Sequence, residues 1–215
     1  MAEGSSGSGG RIVVDPLRII DIFLAAVVLV VTLPLMLVAA LLIRLDMGAP
    51  VLFKQERAGL HGRTFVMVKF RSMRNPRPGE EGPDSDAARL TKLGKFLRAT
   101  SIDELPTMVN VLWGDMSMVG PRPLPVRYLP RYSPTQARRH EVRPGVTGWA
   151  QVNGRNGLTW EQQFEYDVWY VDNRSPKLYF RVLRDTVDKV LKRDGISEEG
   201  HATRSEFMGS TASAA

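Results

Sequence analysis

No cysteine occurs in the 215 residues. Its absence removes disulfide frameworks, thiolate metal sites and cysteine nucleophiles, and it fits a reducing cytoplasmic setting. Also missing are zinc-ligand spacing, an RNA-binding aromatic signature and a recognition-helix pattern, so the net charge of +6 and pI near 9.8 do not point to nucleic acid. An anionic membrane surface and phosphorylated substrates account for the excess of cations instead. No small-residue cleavage site ahead of a polar domain follows the N-terminal apolar run, which argues against a cleaved signal peptide.

What the chain does have is the run Ile19 to Ile43, IIDIFLAAVVLVVTLPLMLVAALLI, interrupted only by Asp21, Thr32 and Pro34. As a straight helix, Ile22 to Ile43 would reach roughly 33 Å, about the thickness of a bilayer core. Pro34 lacks an N–H and its ring presses on the carbonyl of Val30, which predicts a kink. Thr32 stands close enough to occupy a freed carbonyl. Arg11 and Arg18 precede the run, and Arg44, Lys54, Arg57 and Arg63 follow it. With both flanks basic, a segment that dips into one leaflet and returns is expected, against a single span with a tolerated proline.

The rest is long enough for one domain of about 150 residues. VLFKQER (Val51 to Arg57) and TFVMVKF (Thr64 to Phe70) flank AGLHG and predict a hairpin. Its second strand ends in Lys69, Arg71 and Arg74, a group suited to phosphate or to guarding a sheet edge. Asn75 to Asp86 reads as a loop; its Asp84-Ser85-Asp86 lacks the preceding apolar strand that a metal-binding aspartate pair would have. From Ala87 the pattern is helical, with Leu90, Leu93 and Leu97 on one side.

Ser101-Ile102-Asp103-Glu104 has the form of a capping box, yet Pro106 is late for a helix opening at Ser101, so a start near Pro106 is the alternative. Either way the carboxylates of Asp103 and Glu104 sit at a helix N-terminus, where both should be ionised. One can attack phosphorus while its neighbour holds a magnesium ion on a diphosphate. Arg122, between Pro121 and Pro123, and Arg98 are candidates for phosphate contact.

LRATSIDELPTMVNVLWGDMSMVGPRPLP, KFRSM (Lys69 to Met73) and RPGVTGWAQVNGRN (Arg143 to Asn156) together resemble the bacterial sugar transferase family, the monotopic polyprenyl-phosphate phosphoglycosyl transferases. The resemblance implies Asp103 as nucleophile and Glu104 as a catalytic metal ligand for Mg2+. It also implies Lys69, Arg98, Arg122 and Asp167 as substrate-binding residues. The family's membrane break carries Ser-Pro, where this chain has Leu33-Pro34. The expected partners are a UDP-sugar, undecaprenyl phosphate and membrane lipid, with no nucleic acid; a homodimer is also compatible. The expected place is the cytoplasmic face of a bacterial inner membrane.

Downstream, Trp149 is a candidate to stack on uracil or to fill the core, with Gln151, Asn153 and Arg155 beside it. Thr159 to Val171 reads as helix. Ser175-Pro176 opens another, with a basic face that suits a membrane surface or solvent and Gly195 to end it. The tail GISEEGHATRSEFMG resembles that of diacetylbacillosamine-phosphate transferases. The expected fold is therefore α+β and mostly helical: an arm over 1–14, a re-entrant membrane helix-break-helix over 15–46, a cytoplasmic catalytic domain with a small β-hairpin and amphipathic interfacial helices over 47–195, and an extension over 196–215. The competing class is a basic, membrane-associated scaffold without chemistry.

Overall fold

A computed structural model describes residues 15–80, 85–154, 157–192 and 206–209. Helix α1 (Pro16–Met47) opens with Asp15 accepting from the Leu17 N–H and Pro16 at the first helical position. It runs for 32 residues, and its helical assignment passes through Pro34 without interruption. Thr32 Oγ1 donates to the Val28 carbonyl at 2.7 Å, not to that of Val30. At the far end Arg71 takes the carbonyls of Met47, Gly48 and Ala49 at 2.6, 2.7 and 3.1 Å. Arg71 is thus a helix cap, not a phosphate ligand.

One stripe of α1 faces the rest of the chain. Leu17, Asp21 and Ala25 are buried in its first half, and Ala39 and Ile43 in its second. Between them Val30, Val31, Leu33, Pro34 and Leu35 are all exposed. Both halves therefore rest on one body while the middle does not. Asp21, the acid within the apolar run, is buried because its Oδ1 accepts from Ser117 Oγ at 2.9 Å, the Met118 N–H at 2.8 Å and Tyr179 Oη at 2.7 Å.

Strands β1 (Leu52–Ala58) and β2 (Thr64–Phe70) form the expected antiparallel hairpin, in register from Leu52 opposite Phe70 to Ala58 opposite Thr64. The helical stretch after Ala87 is split in two. Helix α2 (Asp86–Arg89) stops as Leu90 bridges to Met73, and Thr91 caps α3 (Lys92–Ala99) by accepting from the Gly94 N–H. A 3-10 turn, Ile102–Thr107, leads into α4 (Met108–Trp113).

Strand β3 (Ser117–Val119) pairs in parallel with β4 (Gly145–Thr147), a second sheet the sequence reading did not contain. Between them lie a 3-10 turn, Val126–Arg131, and α5 (Pro134–Ala137). Helices α6 (Trp149–Asn153), α7 (Trp160–Asn173) and α8 (Pro176–Lys192) complete the domain. Leu178, Tyr179 and Val182 of α8 pack with Leu17, Val119 and Tyr170, so its apolar face belongs to the core. Asp84, Arg155, Asn156, Gly195, the arm and most of the tail fall outside the described residues.

Candidate active site

The site is assembled by pinning a turn against a strand. Thr107 Oγ1 donates to the Val68 carbonyl at 2.9 Å, while Asn110 accepts from the Val68 N–H at 3.0 Å and donates to the Val66 carbonyl at 2.7 Å. Two side chains thus stand in for a neighbouring strand along β2. This fixes the turn bearing Asp103 and Glu104 beside the end of β2, which bears Lys69. The capping box is not formed: Ser101 makes no side-chain cap and sits at φ 57, in the left-handed region. A serine held there costs energy that the surrounding contacts must supply.

Lys69 Nζ meets Glu104 Oε1 at 2.5 Å, and Arg122 Nη2 reaches the same oxygen at 3.3 Å. The two carboxylates respond in opposite directions. Burial raises the Asp103 pKa, Glu104 next to it raises it further, and Lys69, Arg98 and Arg122 only partly offset this, leaving it at about 6. Burial also pushes Glu104 up, but Lys69 and Arg122 overcome it and hold that carboxyl at about 2. The difference comes from burial and from the cations each one meets. Both are still mainly ionised at neutral pH. Burial draws the Lys69 ammonium down, and contact with Glu104 holds against it.

Arg122 rides on a loop with little freedom. The Gly120 N–H donates to the Thr147 carbonyl at 2.9 Å and the Gly145 N–H to the Pro121 carbonyl at 3.0 Å. A Cβ at Gly145 would stand 2.0 Å from the Gly120 nitrogen, so only glycine lets these chains meet. Arg139 Nη2 donates to the Arg122 carbonyl at 2.7 Å, and Arg57 Nη1 to that of Pro123 at 3.3 Å. A shallow pocket open to solvent lies between loop and turn, lined by Arg57, Lys69, Glu104, Thr107, Arg122 and Val146 among others.

Of the residues singled out from sequence, Lys69, Asp103, Glu104 and Arg122 converge here. Arg98 joins electrostatically through Asp103 and donates its Nε to Ser72 Oγ at 2.9 Å. Asp167 stands one step back. It is buried against Arg139, accepting from Nε at 3.0 Å and Nη2 at 2.8 Å, and so braces the group that holds the Arg122 carbonyl. Arg74 pairs with Glu80 at 2.6 Å. Trp149 stacks on Trp169 with centroids 4.7 Å apart and lies under Arg181, so its ring faces neighbours in the fold. Arg57, noted in the sequence only as a flanking cation, and Arg139 were not singled out as site residues because charges in QER and RRH look like ordinary surface.

Among the described residues no three His, Cys, Asp or Glu side chains gather to hold a metal. Lys69 and Arg122 both bond Oε1 of Glu104, which leaves Oε2 for another ligand. One or two carboxylates completed by phosphate oxygens and water suit Mg2+, so the donor set fits that ion.

A family model described as bacterial sugar transferase matches residues 16–193. EpsL of Bacillus subtilis (strain 168), named an uncharacterized sugar transferase, is 51% identical over 193 residues, covering 90% of this chain and 96% of that protein. A UDP-glucose:undecaprenyl-phosphate glucose-1-phosphate transferase of Caulobacter vibrioides is 40% identical over 190 residues, 82% of this chain and 70% of that protein. An Escherichia coli (strain K12) protein of the same name is 39% identical over 180 residues, 79% of this chain but only 39% of its own length.

Proposed function

The chain belongs to the bacterial sugar transferase family, and from that premise we propose that it moves a sugar 1-phosphate from a UDP-sugar to undecaprenyl phosphate by way of a phosphosugar carried on Asp103. The observation that carries this reading is geometric: Asp103 and Glu104 stand side by side on one pinned turn, with Lys69 2.5 Å and Arg122 3.3 Å from Glu104 Oε1 and Arg98 close enough to act on both. A carboxylate that burial has left poorly solvated is a nucleophile at neutral pH. Its strongly ionised neighbour is a ligand and not a proton source.

An oxygen of Asp103 bonds to the sugar-linked phosphorus. The bond from that phosphorus to the bridging oxygen breaks, and UMP leaves with the electron pair. An oxygen of undecaprenyl phosphate then attacks the same phosphorus, the bond to Asp103 breaks, and the carboxylate is restored. Lys69 holds Glu104 in place, and Arg122 offers its guanidinium to the phosphate oxygens. Mg2+, held by Glu104 and the diphosphate oxygens when bound, would neutralise diphosphate charge. Asp167 acts through Arg139 to keep Arg122 in position.

The long apolar helix makes this a membrane-associated enzyme, and we assign it to the cytoplasmic leaflet with both ends on one side. Support comes from the two halves of α1 resting on one body while Val30, Val31, Leu33, Pro34 and Leu35 between them are exposed. A straight crossing would carry one half out of reach of the domain. The donor sugar is left to experiment: the two transferase relatives above carry glucose in their names, and the tail leans toward a diacetylated amino sugar.

Purified protein with Mg2+, polyprenyl phosphate and a panel of UDP-sugars should release UMP, and the preferred sugar identifies the donor. Absence of UMP with every sugar would favour the scaffold reading.

A further inference from the structure

Arg57 lines the same pocket as Glu104, Lys69 and Arg122, yet no acid answers it among the described residues. Its Nη1 donates to the Pro123 carbonyl and its Nη2 to Gln55 Oε1, both neutral, and its buried Nε has no partner. Taking a guanidinium out of water beside uncharged acceptors is unfavourable, and Arg122 nearby makes it worse. Burial, then repulsion from Arg122, brings the Arg57 pKa down to about 10, so it keeps its charge at neutral pH. A pocket lined by three cations and a single carboxylate is built for an anion that arrives with more than one negative charge.

Position says which part of the anion. In the hairpin Lys69 stands opposite Phe53, and Arg57 lies four residues farther along β1, about 13 Å at the usual strand rise. Lys69 and Arg122 both bond Glu104, whereas Arg57 bonds the Pro123 carbonyl next to Arg122. Arg57 thus stands on the Arg122 side of the pocket, away from Lys69. A diphosphate with one phosphorus at Asp103 extends past Arg122 toward Arg57.

We propose that Arg57 binds the nucleotide-side phosphate of the donor, the group that departs as UMP; this rests on the phosphosugar-transfer reading above. When the bridging P–O bond breaks, the electron pair goes to the UMP phosphate, which becomes a dianion. Arg57 and Arg122 then hold that charge between them, and no proton transfer is needed. In the second half of the reaction the lipid phosphate attacks the Asp103 adduct in line, from the side that UMP has left, so Arg57 faces that phosphate as well.

The test compares wild type with Arg57→Gln, which keeps an N–H for Pro123, by titrating each with UMP and with uridine. Wild type should bind UMP more tightly than uridine. Arg57→Gln should lose about ten- to a hundredfold in UMP affinity, as expected for a charge-assisted contact, with uridine unchanged. Adduct formation from UDP-sugar, followed by intact mass, should slow by a similar factor. Equal losses for UMP and uridine would mark Arg57 as merely structural and overturn the inference. So would unchanged UMP affinity in a variant whose parent releases UMP normally. A parent that neither binds nor releases UMP would sink the transfer reading and this inference with it. If Arg57→Gln fails to fold, Arg57→Lys, which keeps the charge and loses the fork, is held to the same ratio.

Discussion

At the scale of single residues, two neighbouring carboxylates are driven apart by what surrounds them. Asp103 is desolvated and lies beside a charge of its own sign, while Glu104 has Lys69 and Arg122 in contact. On this reading Asp103→Asn should abolish the phosphosugar adduct seen by intact mass after mixing with UDP-sugar alone. Glu104→Gln should keep a trace of adduct and lose magnesium dependence. An adduct on the Asp103→Asn protein would mean that another group is the nucleophile. His140 gives a second prediction. Burial and then Arg139 lower its pKa from 6.5 to about 4, against the bond to the Gly59 carbonyl, so the folded state binds fewer protons than the unfolded state in that interval. Its contribution to stability is therefore complete above pH 6.5 and is lost as the pH falls toward 4, by about 2 to 3 kcal/mol. Asp103 titrates in the same range with the opposite sign, so the quantity to measure is the difference in unfolding midpoint between wild type and His140→Phe across pH. A pH-independent difference would remove His140 from the account.

At the scale of elements, α1 is the anchor and also a wall of the domain. Its buried stripe carries Asp21, which ties it to β3 and α8 through three hydrogen bonds. On the re-entrant reading proposed above, both ends lie on one side of the membrane. Gly9→Cys and Ala49→Cys proteins should both react with an impermeant thiol reagent only when the cytoplasmic face is open. Labelling of Gly9→Cys from outside would restore a single span and reduce Pro34 to a tolerated proline.

At the scale of the whole molecule, the C-terminal segment closes back on the loop that carries Arg122. Phe207 is buried among Tyr128, Tyr132, Trp160 and Phe164, and Glu206 pairs with Arg127 at 3.0 Å and Arg131 at 2.7 Å. The turn it grips, Val126–Arg131, begins three residues after Pro123. Phe207→Ala should cost up to about 3 kcal/mol, since a large ring leaves a packed cluster. In a thermal scan that is a fall of several degrees. Deletion after Gly195 should lower transfer while leaving the protein on membranes. An unshifted melting point for Phe207→Ala would show that the cluster is sound without the tail.

Much of this was legible in the residues alone. Two β-rich runs on either side of a glycine-containing loop placed the hairpin, because strand-forming residues and the turn between them are neighbours in sequence. A long apolar run declared the anchor, three motifs pointed to Lys69, Arg98, Asp103, Glu104 and Arg122, and Asp167 came only from the family resemblance at EQQFEYDVWYVDN. Other features depend on partners distant in the chain. Strands of three residues such as β3 and β4 are too short for any period to appear, and they exist because Gly120 and Gly145 can touch. Only tertiary packing could show that Asn110 serves β2 as a substitute strand and that Arg71 caps α1, since a side chain's bond to backbone far along the chain leaves no local pattern. The same holds for the opposed carboxylates: a pKa follows from burial and nearby charge, and neither is written in the order Asp-Glu.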